Sequence, residues 1–269
     1  MAGFDLILKI DEKDKDSAEI CVTGTIGGRP YTFLLDTGAA VTSLIWDDYT
    51  SQLPQQGSHQ SSGILGDIKD DLVTIHDLRV GSLVKKSPTV TRLSRDHPQA
   101  HSLIGMDLLQ EYCCHFLFSQ NRVAFAPAPA DGLNSLFLDD KFHPYVPITC
   151  DGETAPTVWD TGASLTCVDA GFIARHSDAF KPAGQSGGTD ASGSSVETPL
   201  YWMHGLSCGG QAFPAHKVVG IDLSFVNSKI EYPMTMILGY STLYHANWLF
   251  DFPQRKWVIL EMLPTIPTG

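Results

Sequence analysis

The strongest constraint on the fold of this chain is an internal repeat. Shifting the sequence by 124 positions places residues 25–44 on residues 149–168 without a gap. Both blocks read as an apolar strand, a glycine-containing turn, a second apolar strand and then the tetrapeptide Asp-Thr-Gly-Ala. A second match, at a shift of 134, places Gly105 on Gly239. Two copies in the same order predict two similar lobes related by an approximate two-fold axis.

The segment between the copies marks the boundary between the lobes. Its sequence, PAPADGLN, suits neither the interior of a helix nor that of a strand. We therefore expect a linker at residues 128–133. The predicted N-terminal lobe is residues 1–127, which carry Asp36. The predicted C-terminal lobe is residues 134–269, which carry Asp160.

Within the lobes, most local signals are those of short strands. Helix signals are scarce, and the best candidates follow the repeated glycines for about two turns each, at residues 106–112 and 240–246. The chain therefore predicts a mainly β protein with short helices. In the first lobe we expect strands at residues 20–26, 31–35, 72–80, 89–93 and 123–125.

Composition narrows the range of partners and compartments. The chain has 18 basic and 30 acidic residues and a net charge of −12, which repels phosphate backbones and anionic lipid surfaces. We expect neither a nucleic-acid nor a membrane partner. The first residues lack a secretory leader pattern, so we expect a cytoplasmic protein, or a secreted or periplasmic one if a leader has been removed. The six cysteines fit no zinc spacing, and reduced thiols are expected.

The two Asp-Thr-Gly-Ala turns predict a chemistry. If the pseudo-two-fold axis passes between them, Asp36 and Asp160 face each other, and two close carboxyl groups share one proton. The charged carboxylate can take a proton from a bound water, which attacks a peptide carbonyl, while the protonated partner donates to the carbonyl oxygen. Such a site needs no covalent intermediate, metal or cofactor. The sequence leaves open which aspartate begins as the acid.

These motifs resemble those of aspartic peptidases of the pepsin and retropepsin type. The signature is two apolar residues followed by Asp-Thr-Gly-Ala, as in FLLDTGA and TVWDTGA, with a partner signal of two apolar residues and glycine at Gly105 and Gly239. The resemblance implies a bilobal double-psi β-barrel type fold with a cleft for an extended peptide. It also implies an aspartic endopeptidase that works as a monomer, because one chain supplies both lobes. By the same resemblance, Asp36 and Asp160 are catalytic, Gly105 and Gly239 lie in psi-loops, and the supporting loop residues are Thr37, Gly38, Ala39, Thr161, Gly162 and Ala163.

Two details resemble the retropepsin branch more than the pepsin branch. Pepsin-like enzymes carry a hydroxyl residue where this chain has Ala39 and Ala163. Without that hydroxyl the ionised carboxylate has less support, so we expect activity at milder acidity. The candidate flap and substrate-binding segment also lacks the pepsin-like tyrosine and reads Gly63, Ile64, Leu65 and Gly66. A second Gly/Ser-rich loop, residues 184–195, lies at the equivalent place and is either a second flap or a surface insertion.

Competing motifs are weak. The run containing Ser186 matches the Gly-x-Ser-x-Gly elbow of serine hydrolases, but glutamine precedes the serine and the loop is rich in both residue types. His97 and His101 have a helical spacing for a metal, but Pro98 opposes a helix there. The main alternative from another class is a peptide-binding or scaffold protein that keeps the peptidase fold without turnover.

Two further expectations concern packing and charge. The acidic residues Asp67, Asp70 and Asp71 beside the first flap are expected to form a solvated face. Trp159 and Leu35, which directly precede the two aspartates, are expected to pack beneath the catalytic turns, with a substrate contact by Trp159 left open.

Overall fold

A computed structural model describes residues 2–62, 67–95, 101–189 and 195–264 of the chain. The secondary structure is mainly β, with helices of no more than six residues in the described ranges. The strands curl into two large sheets, one from each half of the chain. The prediction of a bilobal, mainly β fold with short helices is confirmed.

In the described part of its first half, the chain forms thirteen strands, a single-turn helix and two 3-10 turns. The strands are β1 (Gly3–Asp5), β2 (Ile7–Ile10), β3 (Ala18–Ile26), β4 (Arg29–Leu35), β5 (Ser43–Leu44), β6 (Gly57–Ser62), β7 (Asp67–Thr74), β8 (Leu78–Val80), β9 (Leu83–Lys85), β10 (Thr89–Arg92), β11 (Leu103–Ile104), β12 (Cys113–Leu117) and β13 (Arg122–Phe125). The helix is α1 (Met106–Leu109), and the 3-10 turns are Thr50–Gln52 and Phe118–Gln120.

The second half repeats this plan with thirteen strands and three short helices. The strands are β14 (Asn134–Ser135), β15 (Phe137–Leu138), β16 (Pro144–Cys150), β17 (Glu153–Trp159), β18 (Thr166–Asp169), β19 (Phe180–Thr189), β20 (Ser195–Met203), β21 (Leu206–Cys208), β22 (Gln211–Ala212), β23 (His216–Ile221), β24 (Met236–Leu238), β25 (Ala246–Asp251) and β26 (Lys256–Met262). The helices are α2 (Ala170–Arg175), α3 (Ser224–Asn227) and α4 (Tyr240–Leu243).

The two ten-stranded sheets have the same topology. The first runs β6-β7-β10-β5-β11-β4-β3-β8-β9, with β2 on β3, and the second runs β19-β20-β23-β18-β24-β17-β16-β21-β22, with β15 on β16. In both, a short parallel strand lies beside the strand that leads to an aspartate: β11 beside β4 and β24 beside β17. The repeat in the sequence is therefore a repeat in the fold.

A third sheet joins the two halves. Its order is β1-β13-β12-β25-β26-β14, so each half contributes three strands, and β12 pairs with β25 at the centre. Large aromatic side chains fill the core around it, including Phe116, Trp159, Trp248 and Phe250, none of them exposed to solvent. Because both halves share this sheet, the two turns that carry the aspartates are held in a fixed relation. The lobe boundaries at residues 127 and 134 stay a prediction.

Two local predictions were wrong in detail. The helices α1 and α4 have one turn each instead of two, because the chain turns back after each of them to form the shared sheet. The strand predicted at residues 72–80 is split into β7 and β8, because Asp77 takes a left-handed conformation with φ of 54°. His76 and Asp77 accept hydrogen bonds from Gly27 at this break.

All six cysteines are free thiols, and four of them are buried.

Candidate active site

Asp36 and Asp160 occupy the same place in the two sheets. Asp36 directly follows β4, and its amide donates to the carbonyl of Ile104 at 2.9 Å. Asp160 directly follows β17, and its amide donates to the carbonyl of Leu238, also at 2.9 Å. Each aspartate is thus tied to the short parallel strand beside it, which fixes the direction in which its turn leaves the sheet.

The threonines after the aspartates lock the two turns together. The amide of Thr37 donates to Thr161 Oγ1 at 3.1 Å, and the amide of Thr161 donates to Thr37 Oγ1 at 3.0 Å. The Thr37 hydroxyl then donates to the carbonyl of Trp159 at 2.9 Å. Both threonines are buried, so these bonds replace contacts with water that burial has removed. The structure contains the hydroxyl link across the axis that the motif predicts.

The two carboxyl groups meet between the turns. The Gly38 amide lies 2.9 Å from Asp36 Oδ1 and 3.0 Å from Asp160 Oδ1, so one N–H reaches both side chains. The Gly162 amide donates to Asp160 Oδ1 at 2.7 Å. Asp36 and Asp160 therefore face each other, as the symmetry argument predicts.

Only glycine fits between Thr37 or Thr161 and the following alanine. A Cβ on Gly38 would lie 2.6 Å from Asp160 Oδ2, and a Cβ on Gly162 would lie 2.5 Å from Asp36 Cγ. Such distances are far below van der Waals contact, and each clash is with the opposite aspartate. The glycine of each turn thus makes room for the carboxyl group of the other lobe.

The environment favours one proton shared between the two carboxyl groups. Burial, the negative charge of Asp160 and a hydrogen bond between the carboxyls raise the pKa of Asp36 well above its usual value. Burial also raises the pKa of Asp160, but the amides of Gly162 and Gly38 and the hydrogen bond from Asp36 oppose that rise. The two buried carboxyl groups therefore titrate as a coupled pair, and the amides around Asp160 support its ionised form.

The psi-loop glycines support the turns from behind. The amide of Met106, next to Gly105, donates to the carbonyl of Ala39 at 2.8 Å, and the amide of Tyr240, next to Gly239, donates to that of Ala163 at 2.8 Å. A Cβ on Gly105 would lie 2.8 Å from the backbone of Val41, and one on Gly239 would lie 2.5 Å from the carbonyl oxygen of Leu165. The loops can approach this closely only because both residues are glycine.

Behind the psi-loops, each lobe has a polar brace that sequence reasoning missed. In the first lobe, the Gly105 amide donates to Thr42 Oγ1 at 3.1 Å, and the Thr42 amide and hydroxyl both donate to Asp107 Oδ1, at 2.9 and 2.7 Å. We call this set the Asp107 brace. The one signal in the sequence was the alignment of Thr42 on Thr166 within the repeat.

The second lobe builds its brace from hydroxyls and a histidine. The Gly239 amide donates to Thr166 Oγ1 at 3.0 Å, Thr166 Oγ1 lies 2.6 Å from Thr242 Oγ1, and Thr242 Oγ1 lies 2.7 Å from His216 Nε2. His216 Nδ1 lies 2.8 Å from the carbonyl of Pro214 and donates to it, so Nε2 accepts from Thr242. We call this set the His216 brace.

The residues before the aspartates pack as predicted. Leu35 and Trp159 are fully buried, and the Trp159 ring lies 4.6 Å from the rings of Phe116 and of Phe250. Because Trp159 is enclosed by this aromatic core, it does not contact a substrate.

The weaker sequence motifs do not form a competing site. Ser186 lies within β19, opposite Thr198, so the Gly-x-Ser-x-Gly match is part of a hairpin strand and not a strand-to-helix elbow. His97 lies outside the described residues, and His101 pairs with Glu19 at 3.4 Å. Within the described ranges, no group of three or more histidine, cysteine, aspartate or glutamate side chains could hold a metal ion.

The expected solvated acidic face was wrong for Asp70 and Asp71, and the side chain of Asp67 lies outside the described part of the structure. Asp71 pairs with the buried Arg92 at 2.6 Å, and Asp70 is buried and accepts from the Ser94 amide at 3.2 Å. Arg92 also donates to the carbonyls of Thr50 and Leu53. The Asp71–Arg92 pair joins β7 to β10 at the base of the first hairpin, because a buried arginine needs a counter-charge.

Two hairpins occupy the flap positions. The candidate flap residues Gly63, Ile64, Leu65 and Gly66 lie outside the described residues, but the strands that lead to them, β6 and β7, form an antiparallel hairpin. In the second lobe, β19 and β20 form a hairpin at the same place in the sheet, paired from Phe180 with Met203 to Thr189 with Ser195. The Gly/Ser-rich segment is therefore part of a second hairpin that matches the first.

Comparison with known proteins agrees with this site. Residues 22–108, about a third of the chain, match a family model described as aspartyl protease. The matched stretch holds Asp36, its turn and Gly105, and it ends before the second copy begins. This similarity supports an aspartic-protease-like function of the hydrolase class. A search of the curated proteins finds no match.

None of the helices in the described part of the chain has the length and the apolar run that crossing a bilayer would require.

Proposed function

We propose that this chain is an aspartic endopeptidase of the pepsin and retropepsin type. The observation that carries the proposal is the Gly38 amide within hydrogen-bonding distance of both Asp36 and Asp160. Two carboxyl groups in such a position can hold one water molecule and supply an acid and a base together.

The reaction needs nothing beyond these two groups and water. The ionised carboxylate takes a proton from the bound water as its oxygen forms a bond to the peptide carbonyl carbon. The protonated carboxyl donates to the carbonyl oxygen, which stabilises the charge that develops there. The C–N bond then breaks as the amide nitrogen takes a proton from the dyad, and both products leave without a covalent intermediate.

Features of both lobes support the retropepsin-like character. Ala39 and Ala163 carry no hydroxyl that could support the ionised dyad, and burial raises the pKa of both Asp36 and Asp160. Activity should therefore extend to milder acidity than in pepsin-like enzymes. The matching hairpins β6–β7 and β19–β20 would each contribute a flap over the cleft, with Gly63, Ile64, Leu65 and Gly66 at the first tip.

The substrate we propose is an extended peptide or an unfolded protein segment. Such a segment can add its backbone to exposed hairpin edges, as in other strand-addition complexes. Partly exposed apolar side chains near the Asp160 turn, those of Ala163, Cys167, Ile221 and Ile230, pack on a small apolar cluster and would accept apolar residues beside the cut. The chain would act as a monomer without a cofactor, nucleic acid or membrane.

The test is cleavage of an unfolded protein and of a peptide library by the purified chain. We expect peptide products whose formation stops in Asp36→Asn and in Asp160→Asn. Asp178→Asn is the matched control, because the Asp178 side chain is fully exposed, and it should keep full activity. Binding of peptides without cleavage by the unmodified chain, at every pH from 3 to 7, would favour the scaffold alternative instead.

A further inference from the structure

One histidine lies in register with a member of the carboxyl pair. Strands β16 and β17 are antiparallel, and their last pair toward the active site is Tyr145 with Val158. Two positions further along the same register, His143 comes opposite Asp160. Residues that are opposite each other in an antiparallel pair present their side chains to the same face. His143 directly precedes β16 and Asp160 directly follows β17, so the two residues lie at the same end of the ladder and within electrostatic reach of each other.

His143 is held in place by Asp139. Its Nδ1 lies 2.7 Å from Asp139 Oδ2, and its amide donates to Asp139 Oδ1 at 2.9 Å. The Lys141 amide donates to the same oxygen at 3.0 Å, and Phe142 between them takes a left-handed φ of 65°. The Asp139 side chain has no exposed surface, and that of His143 is 13% exposed. Because Nδ1 is bound to a buried carboxylate, Nε2 is the ring nitrogen that remains for a second hydrogen bond.

The same position in the first lobe has the opposite charge. Cys21 pairs with Leu34, and the register continued by two residues brings Glu19 opposite Asp36. Glu19 pairs with Lys9 at 3.3 Å and with His101 at 3.4 Å. The pseudo-symmetry of the active site is therefore broken at the one position where each lobe has a titratable group opposite its aspartate.

Several charged residues surround His143. Its own loop carries Asp139, Asp140 and Lys141, and the aspartate pair lies across the sheet. Lys141 Nζ is bound to the carbonyl of Lys229, and the Tyr145 hydroxyl is bound to that of Tyr232. A positive charge on His143 lowers the pKa of Asp160, although burial keeps that pKa above its usual value.

We propose that His143, held by Asp139, is a positioning residue that places the shared proton on Asp36 and leaves Asp160 as the base. This inference rests on the proposed peptidase function. In the reaction, Asp160 takes a proton from the attacking water and Asp36 protonates the carbonyl oxygen. As the C–N bond breaks, Asp160 gives its proton to the leaving nitrogen and Asp36 takes back a proton from a hydroxyl of the tetrahedral intermediate. His143 touches neither substrate nor water in this scheme and acts only through the charge it presents to Asp160.

The experiment is the pH dependence of kcat/KM for peptide cleavage in four variants. The acid limb of the profile reports the ionisation that creates the base. In His143→Gln we expect this limb to move to higher pH by about one pH unit, the size typical of removing an opposite charge from beside a carboxylate. Activity on the limb then falls about tenfold, while the plateau and KM change little. His143→Lys should keep the limb near its original position.

Two further variants separate this role from a structural one. Asp139→Asn should move the limb in the same direction by a smaller amount, because His143 loses its anchor while the imidazole itself remains. Asp178→Asn, which removes a fully exposed carboxylate, should leave the limb where it is. Melting temperatures of all four variants show whether each is folded at the pH of assay.

The outcomes are distinct. An unmoved acid limb in a folded His143→Gln variant would overturn the proposal, as would a rise in KM at every pH, which indicates a substrate contact. Equal shifts in His143→Gln and His143→Lys would also overturn it, because the charge would then not matter. Cleavage retained in Asp160→Asn would instead overturn the peptidase proposal itself.

Discussion

The Asp107 brace and the His216 brace do the same task with groups that respond to acid in opposite ways. Both begin at a psi-loop amide and pass through an aligned threonine, Thr42 or Thr166. The first ends on a carboxylate and the second on an imidazole. A duplicated backbone therefore does not impose duplicated chemistry, because any partner that can accept the last hydrogen bond will satisfy the buried threonine.

The signs of the two responses follow from the pKa shifts. Burial raises the pKa of Asp107, although hydrogen bonds from Thr42 oppose this, so the folded state takes up a proton there more readily than the unfolded chain does. Burial lowers the pKa of His216 to about 4, so the unfolded chain takes up that proton more readily. As the pH falls, protonation stabilises the folded state at Asp107 and destabilises it at His216.

The largest effect is expected from replacing either aspartate at the axis, where the two lobes are equivalent. Asp36→Asn and Asp160→Asn should each lower kcat for peptide cleavage by at least about 10³-fold, because each removes an acid or base that contributes on the order of 10²–10⁴-fold. Measured stabilities should change little or rise, since a buried carboxyl is replaced by a neutral amide. A tenfold loss or less in either variant would show that the two groups are not the acid and the base.

Substitution of Gly38 or Gly162 tests whether the two lobes hold their aspartates in equivalent positions. Gly38→Ala and Gly162→Ala should each reduce kcat/KM by about a hundredfold or more, because a Cβ at either position displaces the opposite aspartate. Gly57→Ala is the control, since its Cβ would be 3.6 Å from its nearest neighbour, an ordinary contact. Steady-state kinetics on folded protein would check this. A strong effect at one turn only would mean that the carboxyls are not held symmetrically.

The His216 brace predicts a loss of stability in acid. The free energy of unfolding should fall by about 3 kcal/mol between pH 6.5 and pH 4 on account of His216, because the unfolded state gains a proton there that the folded state excludes. His245, whose ring centroid lies 5.5 Å from that of His216, has its pKa lowered to about 4 by burial and adds to the loss. Urea unfolding at a series of pH values measures it.

The variant His216→Gln separates this effect from general acid denaturation. It should be less stable at pH 7 by about 1–2 kcal/mol, because its amide replaces the imidazole hydrogen bonds imperfectly. Its stability should nevertheless fall less steeply between pH 6.5 and 4. A slope equal to that of the unmodified protein would mean that His216 is not the group that titrates.

A final comparison sets the two braces against each other at neutral pH, with Ser241, whose Oγ accepts from the amide of Thr166, counted with the His216 brace. Asp107→Ala should cost about 2–3 kcal/mol, because it leaves both the amide and the hydroxyl of buried Thr42 without an acceptor. Ser241→Ala should cost about 1 kcal/mol, because only the Thr166 amide loses its partner at Ser241 Oγ. Denaturant unfolding of both variants measures the difference. Equal costs would show that the carboxylate brace is no stronger than the hydroxyl one.

The predictable part of the site is the part that the repeat contains. The positions of Asp36 and Asp160, the threonine link and the need for Gly38 and Gly162 follow from a duplicated turn after a buried strand. The flap tip at residues 63–66 was named from the same pattern but lies outside the described residues. The sequence does not distinguish a second flap from a surface insertion at residues 184–195, because both kinds of loop are rich in glycine and serine.

The unpredicted part depends on pairs of residues that no local pattern connects. The solvated acidic face was wrong because the partner of Asp71 is Arg92, on a neighbouring strand whose pairing was not predicted. His143 was not singled out, because its importance comes from strand register and from Asp139, and its counterpart in the repeat, Glu19, is a different residue.

The sequence by itself determined the number of lobes, the mainly β class and the two aspartates that meet at the axis. It could do so because a repeated motif after a buried strand must recur at the same place in each copy. Only the tertiary structure decided how the two halves differ: which polar group ends each brace, and which titratable residue lies near each aspartate. These depend on contacts between side chains far apart in the chain, and on how much water is excluded around them, neither of which a local pattern of residues encodes.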